Sequence, residues 1–180
     1  MDTNIKIRPV RPDDAEQYIN LTNIVWRDAY KHIFPEEVFI RKESKTQDMI
    51  KTFANFVYHG KDQMCYVAEI DGKIVGFVSA KLGANYEYFA NKIDAELMAM
   101  YILPEYQGKG LGSKFKTLFV DWAKAKGAKN FVIGVLKDNH KARKVYENWN
   151  GKLDDYIQPF VRLGVEYDEV FYIYDIEKEQ

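Results

Sequence analysis

The chain has one cysteine, Cys65, among 180 residues, so no intrachain disulfide can form and no cysteine cluster can hold a metal. Its three histidines, His32, His59 and His140, lie far apart without metal-ligand spacing, and each reads as an isolated surface or loop residue. Proline is scarce and scattered, five in all, and no run rich in Ser and Gly or in Pro divides the chain as a linker would. One domain over the whole length, with its core in about residues 5–174, is therefore the expectation. Net charge is nearly absent, 26 basic against 27 acidic residues, which gives nucleic-acid binding no support. No window approaches about 18 uninterrupted apolar residues, and the opening MDTNIKIRPV has an early acid and no apolar run of signal-peptide length. These absences point to a cytoplasmic protein with no membrane partner.

What is present is core material: 47% of residues are hydrophobic and 15% aromatic, enough to exclude a disordered chain. The charge is uneven. Between Pro104 and Glu147 stand ten Lys/Arg and four Asp/Glu, an excess that suits a local anion site or simply a set of solvated side chains.

Alternation in IKIRPV predicts a short strand ended by Pro12. Asp13 and Asp14 suit a helix start, and Ala15, Ile19, Thr22, Val25, Trp26 and Ala29 follow at helical spacing. A second helical region is predicted from Pro35 to about Phe56, with Val38, Ile40, Met49, Ile50, Phe53 and Val57 as its apolar stripe and a break in KESKTQD. The run CYVAEIDGKIVGFVSAKLG reads as a hairpin turning at Asp71-Gly72. Tyr86 to Lys92 has no periodic stripe; it is either a loop bringing Tyr86, Tyr88 and Phe89 over a pocket or an aromatic cluster packed on the sheet. AELMAMYIL is a strand stopped by Pro104. Phe115, Leu118, Phe119, Trp122 and Ala123 mark an amphipathic helix ending at Gly127. FVIGVL is a buried strand, Asn139 to Asn148 a short helix with Ala142, Val145 and Tyr146 on one side, and VEYDEVFYIYDI a final strand. The whole is an α/β fold around one mixed sheet.

The stretch QGKGLGSKF, Gln107 to Phe115, stands between a strand and a helix. That order presents uncommitted backbone N–H groups at a helix N-terminus, and Gly108, Gly110 and Gly112 permit positive φ and close approach of a bulky anion. Lys109 and Lys114 add charge at the rim. The spacing G-x-G-x-G is neither a dinucleotide fingerprint, since Ser113 occupies the place of the third glycine, nor a phosphate-binding P-loop. By itself such a turn is an anion cradle or a purely structural turn.

Two markers together narrow this. Gln107-x-x-Gly110-x-Gly112 resembles the acetyl-CoA-binding signature of the GCN5-related N-acetyltransferase superfamily, and Asn139-x-x-Ala142-x-x-x-Tyr146 resembles that family's second marker. The order of elements is similar over nearly the whole chain. The resemblance implies a mixed, mostly antiparallel seven-stranded sheet flanked by about four helices, with the ligand where two central parallel strands splay. It further implies that the backbone of Gln107, Gly108, Lys109, Gly110, Leu111, Gly112 and Ser113 holds the coenzyme A pyrophosphate. Met100, Tyr101 and Ile102 would pair with the pantetheine arm, and Asn139 would bond the cofactor near its thiol end.

Direct acyl transfer needs a neutral amine, a donor to the developing oxyanion and a proton for the leaving thiolate. A backbone N–H near Met100 or Tyr101 suits the oxyanion. Tyr146, with an ordinary tyrosine pKa of about 10, is implied as the proton donor, and Glu96, at the start of the central strand, as the base acting through water; Glu69 and tyrosines are fallback bases. Without a nucleophilic Cys arrangement or a Ser/His/Asp set, an acyl-enzyme is not expected. Tyr30 and Phe34, after the first helix, are implied to line the acceptor site, with no metal involved.

The family commonly follows its tyrosine with a Gly-Phe turn, whereas this chain runs Tyr146 to Leu153 with Gly151 late and no Phe, so the helix–strand junction is expected to differ. Eight Asp/Glu against two Lys/Arg from Asp154 to Gln180 favour a small cationic amine as acceptor. A homodimer is compatible with the resemblance, and so is a non-catalytic acyl-CoA-binding protein of the same fold.

Overall fold

The computed structural model describes residues 5–57 and 62–178; His59 lies outside them. Seven strands form one mixed sheet in the order β1-β2-β3-β4-β5-β7-β6. They are β1 (Lys6–Pro9), β2 (Gln63–Ile70), β3 (Lys73–Leu82), β4 (Ala95–Ile102), β5 (Asn130–Leu136), β6 (Lys152–Arg162) and β7 (Val165–Asp175). Five helices are described, α1 (Ala15–Tyr30), α2 (Glu36–Glu43), α3 (Thr46–Val57), α4 (Leu111–Ala125) and α5 (His140–Asn148). β4 and β5 run parallel, with Ala95 opposite Phe131 and Glu96 opposite Val132. The pairs β1–β2, β5–β7 and β6–β7 are antiparallel. This is the mixed α/β sheet expected, with one helix more than the four implied, because α2 and α3 are separate helices.

The chain groups into two compact units. Unit 1 holds residues 1–80 and 99–119, unit 2 residues 81–98 and 120–180. In unit 1 the stripe of α1 buries Tyr18, Ile19, Leu21 and Val25 together with Phe53, Val67, Ile74, Phe77 and Leu103. The Tyr18 and Phe77 rings stack at 3.8 Å, and full burial of such a side chain stabilises by about 2–3 kcal/mol. Asp71 (φ 49°) and Gly72 (φ 78°) make the tight turn between β2 and β3, the left-handed pair that Asp-Gly favours.

Unit 2 packs Phe89, Ile93, Val132 and Phe171 into one cluster, with Tyr86 and Tyr156 against it. The Tyr86–Lys92 stretch is thus the packed aromatic cluster of the two alternatives. Its loop closes at the neck, where Gly83 N–H donates to the Asp94 carbonyl at 2.7 Å.

Two expectations are corrected. Ile40, assigned to the apolar stripe, is 57% exposed and Val145 41% exposed, because α2 and α5 are short and bury only part of the face that the spacing marks. The break expected in KESKTQD is present, at Ser44 and Lys45 between α2 and α3. β6 is absent from the sequence reading. A register shift between Leu153 and Ile157 breaks the alternation, and Pro159, which argues against an interior strand, is tolerated because β6 is the sheet edge.

Candidate active site

In unit 1 the strand β4 ends at Ile102, still beside β3. Leu103 N–H donates to the Val75 carbonyl at 2.9 Å, and a Cβ placed on Gly76 would meet the Tyr101 carbonyl at 2.9 Å. Tyr101 and Leu103 therefore present their backbone to β3. By strand alternation Met100 and Ile102 present theirs to the other side. The Ile102 carbonyl accepts from the Gln107 side-chain amide at 2.8 Å. Of the three residues implied for the pantetheine arm, Met100 has both backbone groups directed away from β3, Ile102 offers its N–H, and Tyr101 faces β3.

Pro104 begins a 3-10 turn through Tyr106, and Gln107 N–H closes it on the Pro104 carbonyl at 3.2 Å. The Gln107 amide is accordingly part of the turn, and the run of outward donors starts at Gly108. Gly108 and Gly110 adopt φ of 71° and 82°, where a side chain is strained. Gly112 lies in the first turn of α4 and needs no positive φ. The first bond of that helix is Lys114 N–H to the Gly110 carbonyl, so the N–H groups of Leu111, Gly112 and Ser113 have no acceptor within the helix. They carry the positive end of the helix dipole. Lys109 Nζ sits 5.3 Å over the Tyr106 ring. This cradle fits a pyrophosphate.

Also in unit 1, Trp26 Nε1 donates to the Tyr101 hydroxyl at 2.9 Å. The Tyr30 ring meets Trp26 at 5.1 Å and Phe34 at 5.5 Å. Burial pushes the Tyr101 hydroxyl pKa up, while hydrogen bonds with Trp26 and Tyr30 pull it back. Phe34 is 4% exposed and backs this row, so Tyr30 is the half-exposed member of the implied acceptor pair. Cys65 is half-buried with its Sγ 3.8 Å from the Tyr18 hydroxyl. Burial drives its pKa up to about 11, which keeps the thiol neutral and unreactive near pH 7.

In unit 2, Glu96 is 4% exposed. Its Oε2 accepts the Asn85 backbone N–H at 2.7 Å and its Oε1 the Asn85 side-chain amide at 3.4 Å. Burial raises its pKa; the Asn85 backbone bond, the Lys81 charge and the Asn85 side-chain bond pull the other way. No cation forms an ion pair with it among the described residues. On the same sheet face stands Glu169, whose Oε1 accepts the Tyr86 hydroxyl at 3.3 Å. Burial raises the Glu169 pKa as well, the Tyr86 bond opposes this, and the charge of Glu96 adds to the rise.

Asn139 is the N-cap of α5, its Oδ1 accepting the Ala142 N–H at 3.2 Å. The Asn-x-x-Ala spacing is thus also a helix cap, a role the residue types alone could have shown. Arg143 Nε donates to the Tyr172 hydroxyl at 3.1 Å, and that hydroxyl donates to Glu147 at 2.7 Å. Tyr172 lies opposite Ile133 and Glu96 opposite Val132, so α5 covers the sheet face opposite to the one bearing Glu96. Tyr146 is half-buried, its ring 5.9 Å from those of Trp149 and Tyr172. Its carbonyl accepts the Tyr174 hydroxyl at 2.9 Å and Gly151 N–H at 3.0 Å. Asn150, at φ 63°, ends the helix, and β6 starts at Lys152; this is the altered junction that the late Gly151 announced. Lys81, Asn85, Tyr86 and Glu169 carry no motif. Only the alternation of β7, which sets Glu169 on the face of Phe171, hints at one of them.

Unit 1 thus carries a glycine cradle that opens α4, and unit 2 carries the parallel β4–β5 pairing and a buried carboxylate on β4. The acetyltransferase (GNAT) family matches residues 20–151, and the chain belongs to that family. It is 28% identical over 162 residues to a spermidine N(1)-acetyltransferase of Thermoplasma acidophilum, covering 84% of this chain and 91% of that one. It is also 28% identical over 142 residues to an uncharacterized N-acetyltransferase of Archaeoglobus fulgidus, covering 79% and 89%. Among solved structures, the PaiA N-acetyltransferase of T. acidophilum in complex with coenzyme A superposes with a TM-score of 0.69 at 23% identity, over 95% of this chain and 99% of that one. That likeness is one of fold.

Proposed function

We propose that this protein transfers the acetyl group of acetyl-CoA directly to a primary amine on a small cationic molecule such as a polyamine or an aminoglycoside. The observation that carries the reading is Glu96: a buried carboxylate, held by amide donors and without an ion-pair partner among the described residues, on the central strand of a family member. Bound acetyl-CoA supplies the acetyl group as a thioester. The N–H groups from Gly108 to Ser113 hold its pyrophosphate, and the Met100 backbone with the Ile102 N–H receives the pantetheine arm.

Glu96 takes the proton of the acceptor ammonium through water, a task that its raised pKa suits better than that of an ordinary carboxylate. Tyr146 gives a proton to the departing thiolate. Tyr30 lines the acceptor side, backed by Phe34, and Asn139 orders the start of α5 below Tyr146. The acidic C-terminal stretch, with Glu169 on the Glu96 face, favours a positively charged acceptor. The similarity to a spermidine N(1)-acetyltransferase supports the same class.

The test is thiol release from acetyl-CoA against polyamines, aminoglycosides, amino acids and peptides. Turnover with the first two classes, falling about tenfold or more in Tyr146→Phe, is expected. Acetylation confined to protein lysines or N-termini overturns the acceptor class. Tight acetyl-CoA binding with no thiol release for any amine, unchanged in Tyr146→Phe, overturns catalysis.

A further inference from the structure

The loop entered at Gly83 gives Glu96 both of its hydrogen-bond donors through one residue. Asn85 approaches the carboxylate from two directions, its backbone N–H to Oε2 and its Nδ2 to Oε1. A side-chain amide can face either way, and the direction here is set by a third group. Lys81 Nζ donates to Asn85 Oδ1 at 2.5 Å. An ammonium has no acceptor capacity, so it accepts only the orientation in which Oδ1 faces it and Nδ2 faces the glutamate. The opposite orientation would set an NH2 group against the ammonium and a carbonyl oxygen against the carboxylate, losing both bonds at once.

We propose that Asn85 is the positioning residue for Glu96, locked in its working orientation by Lys81, and that the pair keeps the buried carboxylate ionised and aimed while leaving it without a direct ion-pair partner. The inference rests on the reading of Glu96 as the base. It also explains why a lysine near the site does not quench that base. The ammonium binds the amide oxygen, one residue removed, and lends its charge to the carboxylate without competing for the carboxylate oxygens.

Other groups bear on the same carboxylate. Tyr86, next in the loop, and Glu169 of β7 face it with like charge or a neutral hydroxyl, and Arg162 of β6 offsets Glu169. Val132, opposite Glu96 on β5, is apolar and fully buried. Burial therefore opposes the ionisation of Glu96, and Asn85 with Lys81 is the counterweight.

The test is the pH profile of kcat/KM for the best amine in wild type, Asn85→Ala, Lys81→Met and the double variant, with acetyl-CoA saturating. Asn85 is exposed as a residue and its backbone donor survives substitution, so the variants are expected to melt with the wild type. The acid limb is expected to move to higher pH by about half a unit or more in Asn85→Ala. Lys81→Met should move it in the same direction, and the double variant further than either single variant but by less than the sum of their shifts, because the orientation of the amide is a step the two share while the lysine charge also acts directly. KM for acetyl-CoA should not change. An acid limb that stays in place in Asn85→Ala while Glu96→Gln abolishes it overturns the inference and leaves the base assignment standing. A limb that survives Glu96→Gln overturns the base assignment and this inference with it. Additive shifts in the double variant overturn the orienting role of Lys81.

Discussion

Two carboxylates are buried in this protein to nearly the same degree, and their surroundings are opposite. Asp14, in unit 1, is 6% exposed and Glu96, in unit 2, 4% exposed. Asp14 receives both Nη groups of Arg8, at 2.7 and 2.8 Å, and the Arg11 backbone N–H at 2.7 Å. Arg8 also engages Glu69, which removes that residue from the pool of fallback bases. The Arg8 hydrogen bond leads the causes that hold the Asp14 carboxyl below its usual range. Glu96 has amide donors in place of a guanidinium, and burial prevails in pushing it up. The lesson is that burial alone does not mark a reactive acid. What distinguishes the two is whether the folded protein supplies the counter-charge or withholds it.

The contrast is broken most severely at Glu96. Glu96→Gln should reduce kcat/KM for the amine by about 10²-fold or more, the share typical of a general base, with acetyl-CoA binding intact by calorimetry. Next in size, Asp14→Asn should cost on the order of 3 kcal/mol of unfolding free energy in denaturant titrations, as breaking a buried pair does, without altering KM for acetyl-CoA. Because the folded pKa of Asp14 lies below its unfolded value, its contribution is present above the usual carboxylate range and is lost as pH falls through the folded pKa. The wild type should therefore lose stability in that acid window more steeply than Asp14→Asn.

A change in unit 1 that touches neither acid sharpens the comparison. Gly110→Ala puts a side chain at φ 82°, a strain of about 1–2 kcal/mol, and should raise KM for acetyl-CoA about tenfold with little change in kcat. The smallest effect is also the most discriminating. Glu96 has a folded pKa above its unfolded value, so its contribution to stability is lost as pH rises through the folded pKa. Glu96→Gln should thus raise the melting temperature at pH 8 despite its loss of activity, opposite in sign to Asp14→Asn. A fall in melting temperature there would show that Glu96 is a structural acid like Asp14.

Much of the fold could be read from local pattern. α1, α4, the Asp71-Gly72 hairpin and the strand stopped by Pro104 each carry periodicity and punctuation within one short window. β6 could not be read, because a bulge and Pro159 disturb its period and only the β7 partner defines its register. For the site, the glycine cradle announced itself through residue type. Which amides remain outward did not, since Gln107 closing on Pro104 and Tyr101 facing Gly76 are consequences of the path of the chain. Glu96 was visible as a position. Its burial was not, because Asn85 covers it from a loop whose sequence has no period, and Lys81 and Glu169 join it only through the sheet.

The bond from Gly83 to Asp94 has a consequence for how such a protein can diverge. It ties the two ends of the loop together independently of what the loop contains, and Phe89 anchors the interior. The exposed Glu87 and Ala90 can then accept exchanges without displacing Asn85 from its carboxylate. The loop behaves as an interchangeable cassette hung from a clasp, so what it displays can change while the contact of Asn85 with Glu96 beneath it stays.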